Sequence, residues 1–463
     1  MSVKTVSQSM KERENFGSRM AVIFAMAGSA IGLGNIWRFP YMVGEHGGAA
    51  FVLVYIVATL LISLPVFVAE VTVGRRSHRS AYGAMGRLSG GNRFWRAVGF
   101  LPVFIPLLIA SYYSVIGGWS LSYFVDACSL RFVHEGPDAV TGIFGTLISS
   151  TWTPVIFHLV FLAACCVVVA GGVEKGIEKF SKYTIPVLFV LILVILVYSV
   201  TLPGASAGVK YLVRPDLSEI TPRTFAYAMG QSFYSLSLGM GCIITYGSYV
   251  SRKENIVVSS FGTAVSDLLF AILAGFAIMP AVFAAGIEPG AGAGLIFQSV
   301  PFIFSTMGTH MPVVSAVVSI LFFLTIVVAA MTSCIGLVEV GVAYLTDKYS
   351  VRRPLATLLM FLLTGSYGVL CSLSYGPLAG KTIAGKSIFD FSDWFASNIL
   401  LLVTAFLVVV FVGFVMKKED VRDEVTNGGR LAFNGRIFGV LYFLIKWVAP
   451  VALVLIFITN FIY

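Results

Sequence analysis

Residues 28–35 read Gly28-Ser29-Ala30-Ile31-Gly32-Leu33-Gly34-Asn35, "GSAIGLGN", in the middle of an apolar run from about Arg19 to Pro40. Glycine costs a helix roughly 0.8–1 kcal/mol relative to alanine, and three glycines fall within these eight residues. The run is weakened where its surroundings are most apolar. A second weak point of the same kind is Ser235-Leu236-Ser237-Leu238-Gly239-Met240-Gly241. Packing between spans through small residues explains one isolated break as readily as a binding site does. The reading therefore turns on where the two breaks stand in the whole chain.

Of 463 residues, 58% are hydrophobic and 11% charged, against about 25% charged in a typical soluble domain. Stretches of about 20 apolar residues, each able to cross roughly 30 Å of hydrocarbon, recur along the chain. Eleven are centred near residues 30, 60, 112, 162, 192, 237, 271, 328, 363, 406 and 450. The first follows a polar stretch, Met1–Ser18, and lacks a small-residue cleavage site, so it reads as a retained span rather than a secretory signal. An all-α integral membrane protein follows.

The net charge of +9 is topological rather than a mark of nucleic-acid binding. Lys4, Lys11, Arg13 and Arg19 precede the first span, and Arg75, Arg76, Arg79, Arg87, Arg93 and Arg96 fall between the second and third. Lys348, Arg352 and Arg353 follow the eighth span, and Lys417, Lys418, Arg422, Arg430 and Arg436 the tenth. The opposite loops are poor in Lys and Arg, which places the N-terminus in the cytoplasm and the C-terminus outside.

Each break opens a group of five spans. The organisation expected is a cytoplasmic segment 1–17, a first repeat 18–203, an external loop 204–222, a second repeat 223–417, a cytoplasmic loop 418–436, and a last span with an external C-terminus at 437–463. Glycine-interrupted spans at corresponding places in two halves point to a transporter of inverted repeats with its site at the midplane. Unwound backbone is tolerated in lipid only around a cavity or ligand. Its amides suit an anion and its freed carbonyls a cation.

Four stretches are more specific: "RENFGSRMAVIFAMAGSAIGLGNIWRFPY" (Arg13–Tyr41), "IPLLIASYYSVIGGW" (Ile105–Trp119), "GQSFYSLSLGMGCIITYGSY" (Gly230–Tyr249) and "AAMTSCIGLVE" (Ala329–Glu339). In this order they resemble the first, third, sixth and eighth spans of the neurotransmitter:sodium symporters, whose bacterial members transport amino acids in the inner membrane. The resemblance runs through span ten. It implies a 5+5 inverted repeat with unwound helices 1 and 6. It also implies one sodium site at Ala30, Asn35, Ser235 and Asp267, completed by the substrate carboxylate. A second would use the carbonyls of Gly28, Ile31 and Ala329 with the hydroxyls of Thr332 and Ser333. These are hard oxygen donors, without the softer donors transition metals favour.

Asp267 stands where the family usually has asparagine, and Ala271 where chloride-dependent members have a serine ligand. An intramembrane carboxylate is by default functional; here it supplies the charge that chloride supplies elsewhere, and chloride is not required. Gly32 stands where monoamine members carry an aspartate, so the substrate brings its own carboxylate, to the amides of Leu33 and Gly34 and the Tyr113 hydroxyl. Its amino group meets carbonyls of span six and of Ser29–Ala30. The side-chain pocket implied is Ile109, Tyr234, Ser237, Met240 and Leu337, with Ser235 and Ser333 at its edge. It is uncharged, and flexible Met240 replaces a bulky aromatic, which favours bulky hydrophobic or aromatic neutral amino acids. Small neutral amino acids, or amino-acid sensing without transport, are the alternatives.

The gates implied are Arg38 with Asp393 on the outer path, under which Tyr113 and Tyr234 form a lid, and Arg13 with Asp347 on the inner one. Tyr249 and Phe16 stand near the inner pair, Phe16 in place of the usual tryptophan. Gly176 and Pro186 mark a breakable start to span five. Other chemistry is unsupported. Gly380–Ser387 fits G-x-x-x-x-G-K-[ST] but lies in an outside loop, away from the strand-to-helix context of a phosphate-binding loop. The five histidines are scattered, and the six cysteines show neither metal spacing nor a disulfide framework. A channel would need a continuous polar path, and an enzyme a nucleophile–base or metal constellation.

Overall fold

The computed structural model describes residues 15–286 and 295–462. Among these, nine helices are long and apolar enough to cross a membrane. They are Ala49–Ser77, Arg93–Cys128, Thr153–Ala170, Val173–Val200, Ile256–Ala284, Pro312–Tyr349, Arg353–Leu373, Ile388–Val415 and Ala432–Asn460. A tenth span is a bent pair, Arg19–Ala30 and Gly34–Glu45, with 55° between its halves. Pro222–Ser235 and Cys242–Gly247 are the two halves of the sixth span, each too short to cross alone. Counted with it, the spans number eleven, and the two broken helices are the first and sixth.

The breaks have local causes. Ser18 caps the first half-helix by accepting from the Ala21 amide, and the helix stops where Ile31 turns extended at φ −71°, ψ 107°. In span six, Ser237, Gly239 and Gly241 all have positive φ, a region costly for any residue with a side chain. Space makes the same demand: a Cβ on Gly239 would lie 2.6 Å from the Leu401 carbonyl oxygen.

The longest helix among the described residues, Pro312–Tyr349, packs along Arg93–Cys128 and against both broken spans, at Arg19–Ala30 and Cys242–Gly247. Intact helices thus form a wall beside two interrupted ones. His158, on span four, is fully buried with Nε2 3.3 Å from the Gly365 carbonyl. The G-x-x-x-x-G-K-S stretch forms a two-residue hairpin, Thr382–Ile383 against Lys386–Ser387. Positive φ at Ala384 and Gly385 makes the turn. Lys386 and Ser387 are thus strand residues of a tight hairpin.

Candidate functional site

The two breaks face each other and are tied by side chain to backbone. The Ser237 hydroxyl donates to the Ser29 carbonyl at 2.8 Å. Gln231 Nε2 donates to the Gly34 carbonyl at 2.9 Å. The Gly239 amide donates to Glu70 Oε1 at 2.7 Å, from span two. Backbone groups freed by unwinding are thereby satisfied inside the bundle, as an apolar environment requires.

Beside the breaks lies a fully buried polar cluster around Asp267. Its Oδ1 accepts from Asn35 Nδ2 at 2.8 Å and from the Ser235 hydroxyl at 2.9 Å. Its Oδ2 lies 2.8 Å from the same hydroxyl and 3.5 Å from that of Tyr55. Asn35 Oδ1 accepts from the Gly32 amide at 3.0 Å, which locks the break to the cluster. Three residues of the first ion set, from spans one, six and seven, therefore meet. The fourth, Ala30, contributes to the wall of the central cavity instead.

The second set gathers between span one and the long eighth helix. The Thr332 hydroxyl lies within hydrogen-bond reach of the Ile31 carbonyl at 3.0 Å and the Ala329 carbonyl at 2.8 Å. The Ser333 hydroxyl is 3.4 Å from the Ile31 carbonyl. Gly28 packs against span five, where a Cβ would lie 3.1 Å from the Ser181 hydroxyl. Among the described residues no group of three or more His, Cys, Asp or Glu is arranged to hold a metal. The arrangement offers oxygens alone, the donors of a hard monovalent or alkaline-earth cation.

Between the clusters is a narrow cavity of about 20 Å³, room for roughly one water molecule. Its walls are Ser29, Ala30, Gly32, Gly34, Ile109, Tyr113, Tyr234, Ser235, Ser237, Met240, Ser333 and Leu337. Leu33 does not line it, but its amide donates to the Tyr113 hydroxyl at 3.1 Å. Admitting any amino acid requires these walls to part.

A model of the sodium:neurotransmitter symporter family matches residues 13–135 and 148–463. The chain belongs to this family. It is similar to a sodium-dependent transporter of Haemophilus influenzae, 34% identical over 97% of this chain and 98% of the relative. One of Bacillus subtilis is also 34% identical, over 96% of each chain. The crystal structure of MhsT in complex with L-phenylalanine superposes with TM-score 0.88 at 37% identity, covering 96% of this chain and 99% of that one. The protein is thus a multi-pass, sodium-dependent transporter of the symporter family.

Toward the end of the symporter opposite its basic loops, Arg38 lies over the Tyr234 ring at 4.7 Å. It makes no ion pair with Asp393, whose Oδ1 instead accepts from the Ser397 hydroxyl at 3.3 Å. At the basic end Arg13 lies outside the described residues, while Asp347 accepts from the Ser80 amide at 2.6 Å. Tyr249 donates to Glu339 Oε1 at 2.6 Å, and Arg353 bridges Glu339 Oε2 at 2.5 Å. The Phe16 ring stands edge-on to Tyr246 and Tyr249 at 5.9 and 6.0 Å. Gly176 falls in a π-helical turn, Val173–Glu178, that opens span five, and Pro186 lies inside the helix that follows.

Sequence reasoning overlooked Tyr55, Glu70, Gln231 and the Glu339–Arg353 pair. Glu70 carried a usable signal, a lone carboxylate within an apolar run. Removing its oxygen would leave the buried Gly239 amide unpaired, at a cost of about 1–3 kcal/mol. Glu70→Ala in this symporter is accordingly expected to weaken substrate binding roughly tenfold or more. Glu70→Gln, which keeps an acceptor, should lose less; equilibrium binding to both purified variants checks the order.

Proposed function

We propose that the protein is a sodium-coupled symporter of neutral amino acids with bulky hydrophobic or aromatic side chains, working by alternating access without chloride. The observation that carries this is the adjacency of an uncharged cavity, with an unwound glycine segment on one wall, to the buried Asn35–Ser235–Asp267 cluster. The substrate carboxylate would approach the first break near Gly32 and Tyr113, and its side chain would lie among Ile109, Tyr234, Met240 and Leu337. Two sodium ions would be held, one at Asn35, Ser235 and Asp267 with Ala30, the other at Gly28, Ile31, Ala329, Thr332 and Ser333. Asp267 supplies the fixed negative charge beside the first ion, so no anion is needed.

The phenylalanine bound in the MhsT crystal structure supports a large side chain. Small neutral amino acids are the alternative, since the same uncharged walls would accept them. Competition between phenylalanine and alanine for the purified protein separates the two readings. In the same proposal the basic loops face the cytoplasm, the C-terminus is external, and the bilayer is the bacterial inner membrane. Arg38 and Asp393 approach one another along the outer path, and Arg13 and Asp347 along the inner one.

Binding is expected to require sodium and to be indifferent to chloride. Labelled amino-acid binding in sodium chloride, sodium gluconate and potassium chloride at one ionic strength tests both parts. Equal binding in potassium removes the sodium sites. Loss of binding in gluconate removes the role given to Asp267.

A further inference from the structure

Ahead of the long helix of span three, Leu101–Cys128, the chain forms two short helices, Ala81–Leu88 and, at the start of that span, Arg93–Val98. They border an open cavity of about 540 Å³ lined by Arg79, Tyr82, Gly83, Gly86, Arg87 and Arg96. This volume is within the range of small-molecule sites, roughly 300–1,000 Å³, and far exceeds that of the central cavity. Three arginines line it and no carboxylate does. None of the three forms an ion pair with a carboxylate among the described residues; Arg87 donates only to the Ser77 carbonyl, at 3.1 Å. The neighbouring Arg75 and Arg76, by contrast, are bound to Glu424, Asp420 and Asp423. Acidic partners exist at this end of the molecule, and the neighbouring arginines rather than the cavity arginines hold them.

The floor is shaped for this. Gly83 and Gly86, three apart, share one face of their helix. A Cβ on Gly83 would lie 3.1 Å from Arg79 Cβ and Cδ, and one on Gly86 3.4 Å from Arg96 Nε. The arginine stems therefore lie down on glycine, in a helix of eight residues that glycine weakens. Beside the cavity the surface is aromatic and open: Phe94, Phe100 and Phe104 are 61%, 43% and 42% exposed. Phe94 lies at the start of the second short helix, Phe100 caps the long helix of span three, and Phe104 lies one turn further along it. Guanidinium groups near exposed aromatic side chains at the start of a spanning helix match a phosphodiester headgroup carrying acyl chains.

We propose that this cavity binds the headgroup of an anionic phospholipid, with its acyl chains along Phe94, Phe100 and Phe104. The test uses the full-length protein, delipidated in detergent and titrated with phosphatidylglycerol while adducts are counted by native mass spectrometry. One adduct is expected to survive dilution, with phosphatidylcholine at least roughly tenfold weaker. Replacing Arg79, Arg87 and Arg96 together by Gln should weaken phosphatidylglycerol at least tenfold. Replacing Lys175, Lys179 and Lys182 by Gln, the same charge removed at the same end, should not. Gly86→Leu keeps every charge and lifts Arg96 off its floor; it should also lose the adduct, so the proposal remains testable should the triple variant unfold. Unchanged binding in both cavity variants overturns the site, and equal loss in the lysine variant reduces it to general surface charge. Displacement by equimolar glycerol phosphate overturns the lipid as occupant in favour of a free phosphate ester.

Discussion

Gly32→Asp is expected to abolish amino-acid uptake at neutral pH while leaving the protein in the membrane. A Cβ at this position would collide with the Ser333 hydroxyl and lie 2.7 Å from that of Tyr113. The new carboxylate would thus enter the space assigned to the substrate carboxylate. Two like charges about 4 Å apart at an effective dielectric near 20 repel by about 4 kcal/mol, nearly three powers of ten in affinity. The same contacts make Gly32→Ala damaging on steric grounds alone, so the size of the residue and its charge must be separated. Gly32→Asn provides that separation, being close in size to aspartate and neutral. A decarboxylated amine tested on Gly32→Asp completes the set, because it carries no charge to be repelled. Uptake of the parent amino acid by Gly32→Asp at the wild-type rate, measured in proteoliposomes, would falsify the placement of the carboxylate at the break.

Asp267→Asn should lower apparent sodium affinity at least tenfold, or make binding depend on chloride. The substitution deletes the only carboxylate in the cluster and keeps an oxygen, so the loss reports charge. It also changes the hydrogen bonding, since Asn35 Nδ2 and the Ser235 hydroxyl both point at Oδ1. One amide can accept from both through its oxygen, and the fold should hold. The effect is read as the sodium dependence of substrate binding at fixed ionic strength, because surface screening would otherwise mimic it. Wild-type sodium affinity together with retained anion independence counts decisively against Asp267 as the fixed charge.

The broken helices were legible because glycine is out of place in an apolar run, a signal that needs no knowledge of the partner. Both the breaks and the eleven apolar stretches are properties of single segments. Gln231 and Tyr55 were not legible for the opposite reason. Gln231 has meaning only through the Gly34 carbonyl, 197 positions away, and Tyr55 reads as one more aromatic in an apolar helix until Asp267 is placed opposite it. The cavity wall was named from the symporter resemblance, and hydropathy alone would have left Ile109 and Leu337 among many similar residues. Arg38 shows what that route leaves to the structure. Motif matching places Arg38 and Asp393 along the outer path, but which group a long side chain meets depends on conformation, and here Arg38 lies over the Tyr234 ring.

Ser235 belongs at once to the wall of the central cavity and to the Asp267 cluster, and Ser333 likewise joins that wall to the Thr332 oxygens. On the assignments proposed above, ion and amino acid therefore share atoms, and their binding free energies cannot be independent. Linkage then runs both ways: whatever factor sodium adds to amino-acid affinity, the amino acid must add to sodium affinity. A competitor that fills the cavity without engaging Ser235 or Ser333 would occupy the protein yet leave sodium affinity at its unassisted value. Ranking ligands by how far each shifts the sodium titration would therefore separate transported substrates from mere blockers without any flux being measured.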